Sequence, residues 1–171
     1  MYRTALRVFG LLAPMALSSI ALADATATVE KTHLCCNNCV KGVNEAVAKV
    51  DGAKATCDQK GGKITITAKD EASAQKAVDA LLAAGYFGKV TGATVKDDSG
   101  AKAGKVQTAT VSDIHNCCNK CTTSINDTIK KVPGASAVVA SKATSFPVAG
   151  DFDETKLVQE FNDAGFHVKV K

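Results

Sequence analysis

His33-Leu34-Cys35-Cys36-Asn37-Asn38-Cys39 returns as His115-Asn116-Cys117-Cys118-Asn119-Lys120-Cys121, 82 positions further along the chain. The same offset pairs Thr28-Val29 with Thr110-Val111, Val43 with Ile125, Val47 with Ile129, Val50 with Val132, and Gly52-Ala53 with Gly134-Ala135. Ile64 and Ile66 fall on Phe146 and Val148. After a two-residue deletion Val78 falls on Val158, Leu81 on Phe161, and Ala84-Gly85-Tyr86 on Ala164-Gly165-Phe166. Register held over that span makes the chain a tandem duplication, so whatever it folds into is built twice. Each copy has about 70 residues, close to the lower limit for a self-sufficient core.

The copies share one order of patterns. Alternation marks a strand at 25–32 and again at 107–114. Beyond the cysteine loop, Val43, Ala46, Val47 and Val50 recur at helical spacing, as do Ile125, Thr128, Ile129 and Val132. Gly52 and Gly134 are expected to stop these helices. Segments 53–58 and 63–68 alternate around Lys60-Gly61-Gly62, a hairpin signal. The matching strand of the second copy holds Pro147, which cannot donate to a ladder and belongs at an edge or in an irregular stretch. A second helix carries Ala74, Val78, Leu81 and Leu82, answered by Leu157, Val158 and Phe161, and a short strand follows Gly85 or Gly165. The order is β-α-β-β-α-β. The expected class is α+β, with two tandem ferredoxin-like βαββαβ domains at 24–95 and 106–171. Between them 96–105 is polar and contains two glycines, and it reads as a flexible linker.

The first 23 residues differ from the rest. Arg3 and Arg7 precede a largely apolar stretch that ends in Ala21-Leu22-Ala23, the small-x-small pattern of a signal-peptidase site. The run is short for a bilayer span, which needs about 20 apolar residues. Residues 1–23 therefore read as a signal peptide, and the mature chain as periplasmic or secreted, with no membrane attachment after cleavage. Beyond residue 23, nineteen Lys and Arg face seventeen Asp and Glu. That balance, without a basic run or interleaved aromatics, excludes nucleic acid as the expected partner. Tryptophan is absent, and six Phe with two Tyr suit two small Ala- and Val-rich cores better than one large one.

Seven cysteines fall as two triplets and Cys57. Exported proteins usually keep cysteines as disulfides. Here, however, each triplet is packed into five residues, the total is odd, and Val139 stands where Cys57 would repeat. Between a strand end and a helix start, Cys36 and Cys39 can bring two sulfurs to one point, and so can Cys118 and Cys121. Cys39 lies at the first helical turn, where free amide groups and the helix dipole favour thiolate. Paired thiolates suit soft d¹⁰ ions such as Cu(I), Zn(II) and heavier relatives. His33 and His115 are either further ligands or loop histidines satisfied by backbone carbonyls. Cys57 reads as a buried inert thiol, and His167, aligned with Phe87, as a strand residue.

Strand, Cys-x-x-Cys loop, helix and the remaining βαβ pieces resemble the heavy-metal-associated domain over nearly the whole mature chain. That family includes copper chaperones, the N-terminal modules of metal-transporting ATPases and the periplasmic mercuric-ion-binding protein. Its Gly-Met-x-Cys-x-x-Cys motif maps onto His33–Cys39 and His115–Cys121. The resemblance implies Cys36, Cys39, Cys118 and Cys121 as metal ligands, and Tyr86 and Phe166 as the aromatic residues near the metal. The family's Gly is replaced by His33 and His115, and its Met by Leu34 and Asn116. Leu34 can still plug the space under the loop; Asn116 is poorly suited to it, so the second loop is expected to differ. Cys35 and Cys117 occupy the variable position, a third ligand in zinc-transporting members. With His33 or His115 as a fourth, three thiolates would suit tetrahedral Zn(II); they would also suit trigonal Cu(I).

These readings favour a non-enzymatic exported protein holding Cu(I) or Zn(II) for sequestration, buffering or transfer to a metal-transporting or metal-accepting protein. The two loops could serve two ions or clamp one between domains. A thiol-disulfide redox protein is the alternative, though its element order is not thioredoxin-like. A structural ferredoxin-like module with oxidised cysteines is another. Neither a Ser/His/Asp grouping nor a phosphate-cradling loop suggests ordinary enzymology.

Overall fold

The computed structural model describes residues 24–171, so the signal-peptide reading of 1–23 lies outside it. The first half runs β1 (Ala25–Glu30), α1 (Asn37–Val47), β2 (Lys54–Asp58), β3 (Lys63–Ala68), α2 (Glu71–Ala83) and β4 (Lys89–Thr91). The strands form an antiparallel sheet in the order β2-β3-β1-β4, the split βαβ arrangement expected from the pattern. Ala27 and Val29 of β1, with Ile64 and Ile66 of β3, point to one face and are closed over by Val43 and Val47 of α1 and Val78 and Leu81 of α2.

The second half runs β5 (Lys105–Ser112), α3 (Asn119–Lys130), β6 (Phe146–Asp153), α4 (Glu154–Asp163) and β7 (Lys169–Val170). Its sheet has three strands, in the order β6-β5-β7. The expected βαββαβ unit is therefore incomplete here: no strand answers β2. One bridge remains of that pairing, Ser136 with Ala149, closed by two backbone hydrogen bonds of 2.8 Å. Those bonds show that Ala149 turns its N–H and C=O outward from the sheet. Pro147, two residues earlier, faces the same way and has no N–H to offer the next rung. Val138, which would pair there, stands 93% exposed. Proline thus makes β6 an edge strand.

Helices α1 and α3 end at Val47 and Lys130, about a turn before Gly52 and Gly134. The segment 96–105 is not the free linker its composition suggests. Asp98 contacts His167 Nε2 at 2.8 Å, the Ser99 carbonyl accepts from Val170 N–H at 2.7 Å, and Glu154 accepts from Lys102 N–H at 2.9 Å. Asp97 also holds Ser99, accepting from its backbone N–H. Polar side chains that pair with nearby backbone order such a segment, and Ala101 packs against the second core. Among the described residues no helix is long and apolar enough to cross a membrane.

Candidate metal centre

Both cysteine loops end on a helix start. Cys36 and Cys118 are the N-caps of α1 and α3, with extended backbone, and neither side chain makes a capping hydrogen bond. By contrast α2 and α4 are capped by Asp70 and Asp153, which accept from Ser73 and Lys156 N–H. An N-cap bond contributes about 1 kcal/mol. The two cysteine helices forgo it and keep their sulfurs free.

The halves meet at this point through a local pseudo-twofold arrangement. Phe87 N–H donates to the Gly165 carbonyl, and His167 N–H to the Gly85 carbonyl, both at 3.1 Å, around an antiparallel bridge between Tyr86 and Phe166. Gly85 and Gly165 each have φ 85, and a Cβ on either would overlap the backbone nitrogen of His115 or His33 in the other half. His33 stacks on Phe166 at 4.4 Å between ring centroids, and His115 on Tyr86 at 4.2 Å. Each aromatic residue therefore serves the other copy's histidine. His167 and Phe87, equivalent positions in the two copies, stack at 6.3 Å. His167 is thus part of the junction and not simply a strand residue.

All six triplet sulfurs converge at this junction. Within loops, Cys35–Cys39, Cys36–Cys39, Cys117–Cys121 and Cys118–Cys121 lie 3.6 to 3.8 Å apart. Between loops, Cys35 reaches Cys118 at 3.6 Å and Cys121 at 3.5 Å, and Cys36 reaches Cys117 and Cys118 at 3.7 Å. Cys39 reaches Cys117 at 3.6 Å and Cys121 at 3.9 Å. A disulfide needs about 2.05 Å, and all seven cysteines are free thiols. Three ligand groups have donor atoms within 4.8 Å of one another: Cys39, His115, Cys117 and Cys121; His33, Cys35 and Cys121; Cys35, Cys36 and Cys118. Every group draws on both halves.

The donors fit a soft ion. Metal–sulfur bonds of about 2.3 Å in a tetrahedron place sulfurs about 3.8 Å apart, the spacing found. His33 Nε2 is buried with no hydrogen-bond partner, and burial lowers the ring's pKa, favouring the neutral form a metal requires. Tyr86 donates its hydroxyl proton to the Cys39 carbonyl at 2.9 Å and meets His115 Nε2 at 3.1 Å. The hydroxyl can then only accept from Nε2, which assigns the imidazole proton there and leaves Nδ1 with the free lone pair.

The thiols differ in acidity. Hydrogen bonding from Cys121, foremost, pulls Cys39 down to about 2. Cys121 is pushed far up by that same contact and by burial. The two are equivalent in the repeat, so the pair holds one proton between them. Burial pushes Cys35 up to about 12 and raises Cys117 as well, while a backbone amide of Cys121 draws Cys118 down to about 6.

The structure thus brings together Cys35, Cys36, Cys39, Cys117, Cys118, Cys121, His33 and His115, and sets Tyr86 and Phe166 against the histidines. Cys57 stays apart on β2, half-buried, its pKa raised by burial. Leu34 is buried under the first loop, as its apolar character suggests. Asn116 is buried too: its amide donates to the Ala140 and Ala143 carbonyls at 3.4 and 3.0 Å, and its oxygen accepts from Thr122 at 2.8 Å. It fills the leucine's place by tying the strandless segment to the loop.

No family model matches the chain, and no curated protein matches it. Among solved structures, the N-terminal soluble domains of Bacillus subtilis CopA are similar at 13% identity, over 89% of this chain and 97% of that one, with a TM-score of 0.32. The first two RRM domains of the yeast poly(U) binding protein Pub1 are similar at 14% identity, over 85% of this chain and 97% of that one, with a TM-score of 0.25. At those TM-scores neither likeness bears on function.

Proposed function

We propose that this is an exported, non-enzymatic protein of the heavy-metal-associated type that holds a soft d¹⁰ metal, Cu(I) or Zn(II), where its two halves meet. The observation that carries this reading is the convergence of six free thiols from two separate loops at 3.5 to 3.9 Å. Thiolate ligands select soft ions, and a buried unpartnered imidazole beside them adds a borderline donor. The site opens at Cys36, Cys117 and Cys118 onto a shallow cleft lined by Lys120 and Lys142. An accepting protein would reach the metal there, and the buried remainder suits holding it between transfers.

The test is metal content and free-thiol count on protein recovered from its exported location without chelator. Copper or zinc, lost when Cys36, Cys39, Cys118 and Cys121 become serine, supports the reading. A metal-free protein that takes up neither ion after full reduction overturns it, and leaves thiol-disulfide exchange as the use of the triplets.

A further inference from the structure

The sulfur contacts have a definite shape. They follow the edges of an octahedron in which Cys35 faces Cys117, Cys36 faces Cys121 and Cys39 faces Cys118 across the centre. The only edges without a thiol contact join the sequence neighbours, Cys35 to Cys36 and Cys117 to Cys118. Each triangular face offers three sulfurs; the triangle of Cys39, Cys117 and Cys121 has sides of 3.6, 3.7 and 3.9 Å. An ion with bonds of about 2.3 Å at the centre of a trigonal face needs sulfurs about 4.0 Å apart. A small expansion of the cage provides that.

We propose that the two loops form a single chamber for a polynuclear Cu(I)–thiolate cluster, rather than two separate mononuclear sites. This deepens the reading above and rests on it. With metals on alternate faces every sulfur bridges two ions, and the chamber holds about four Cu(I). Loading displaces the protons that the six sulfurs still hold and changes no oxidation state; the protons leave to solvent.

Two features favour Cu(I) over Zn(II) for this use. A face supplies trigonal coordination, which Cu(I) accepts, whereas Zn(II) prefers a tetrahedron. Charge points the same way. About four monovalent ions on six thiolates leave a net charge of about −2, and the starts of α1 and α3 meet it with positive dipole ends. Lys120 and Lys142 at the rim add two cations. The same number of divalent ions would leave an excess of positive charge against those helix ends. His33 lies beside Cys35 and Cys121, and His115 beside Cys39, Cys117 and Cys121, where each can complete the coordination of an adjacent ion.

The experiment is an anaerobic titration of the reduced mature chain with Cu(I). It is followed by bound copper per protein, by the luminescence of solvent-shielded Cu(I)–thiolate clusters, and by copper X-ray absorption. The expected result is about four Cu(I) per chain taken up in one cooperative step, with emission and a copper–copper scattering shell. Cys35→Ser with Cys117→Ser removes two opposite vertices, and should at least halve the stoichiometry and abolish that shell. Two Cu(I) bound independently by the unaltered chain, without copper–copper scattering, would overturn the cluster and leave the metal-binding function standing. Failure to bind any soft ion would overturn both.

Discussion

Tyr86 of the first half holds His115 of the second: their rings stack at 4.2 Å, and the tyrosine hydroxyl reaches both His115 Nε2 and the Cys39 carbonyl. Tyr86→Phe keeps the stack and removes both polar contacts. A hydrogen bond of this kind contributes about 1 kcal/mol to stability, and a partner that orients a ligating histidine about 10- to 100-fold in metal affinity. The variant should unfold a few degrees lower and lose affinity within that range, read by competition with a chromogenic chelator. An unchanged affinity would mean that His115 is not a ligand.

Gly85 and Gly165 let the two halves touch. A residue with a side chain at positive φ costs about 1–2 kcal/mol, and here the added Cβ also meets the backbone of the opposite half. The double variant Gly85→Ala, Gly165→Ala should keep its secondary structure, because both positions lie just outside α2 and α4. Small-angle scattering should show an expanded chain, and metal binding should lose its cooperativity. Unchanged dimensions would show that the junction tolerates the methyl groups.

Cys57 provides an internal reference for thiol chemistry. The thiolate is the reactive form, and burial raises this group's pKa, so less thiolate is present at neutral pH than for an ordinary cysteine. Alkylation of Cys57 should be slow near pH 7 and quicken as pH rises toward the raised pKa. In metal-loaded protein it should be the one cysteine still labelled, as read by peptide mass spectrometry. Protection of Cys57 on loading would place it in the site.

Asn116 is the pin of the second loop. Asn116→Ala would leave the Ala140 and Ala143 carbonyls without their side-chain donor, at a cost of about 1 kcal/mol per bond. Amide exchange over 139–146 should accelerate, whereas the equivalent Leu34→Ala should loosen the first core without that local signature. Equal exchange in both variants would remove the distinction between the two loops.

Much of this was legible in the residues. The offset repeat carried the element order, and the i, i+3, i+4 spacing of Val43, Ala46 and Val47 marked the buried face of α1. Pro147 announced an edge or an irregular stretch, but its wider effect, the loss of the pairing strand, depends on which way its missing N–H points. Strand pattern alone does not give that. The joining of the loops was harder to see. Repetition of the triplets says that each loop matters, but not that they face one another. A signal was present in Ala84-Gly85-Tyr86 and Ala164-Gly165-Phe166, a glycine–aromatic pair kept in both copies at the end of a helix. Its meaning lies in close backbone approach between halves, a tertiary fact with no local pattern. The docking of 96–105 was hidden for a related reason: Asp97, Asp98 and Ser99 are as common in free loops as in pinned ones.

The junction built on Gly85 and Gly165 has the form of an isologous dimer whose two subunits are one polypeptide. A pair of separate chains would come apart on dilution, and its cage of sulfurs with it. Here the partner's effective concentration is fixed by the tether, so assembly is independent of how scarce the protein becomes. Joining also releases the halves from sameness. In a true dimer every substitution appears twice; in this chain Leu34 can become Asn116, Cys57 can become Val139, and one sheet can give up a strand. The two sides of a single binding chamber are free to specialise.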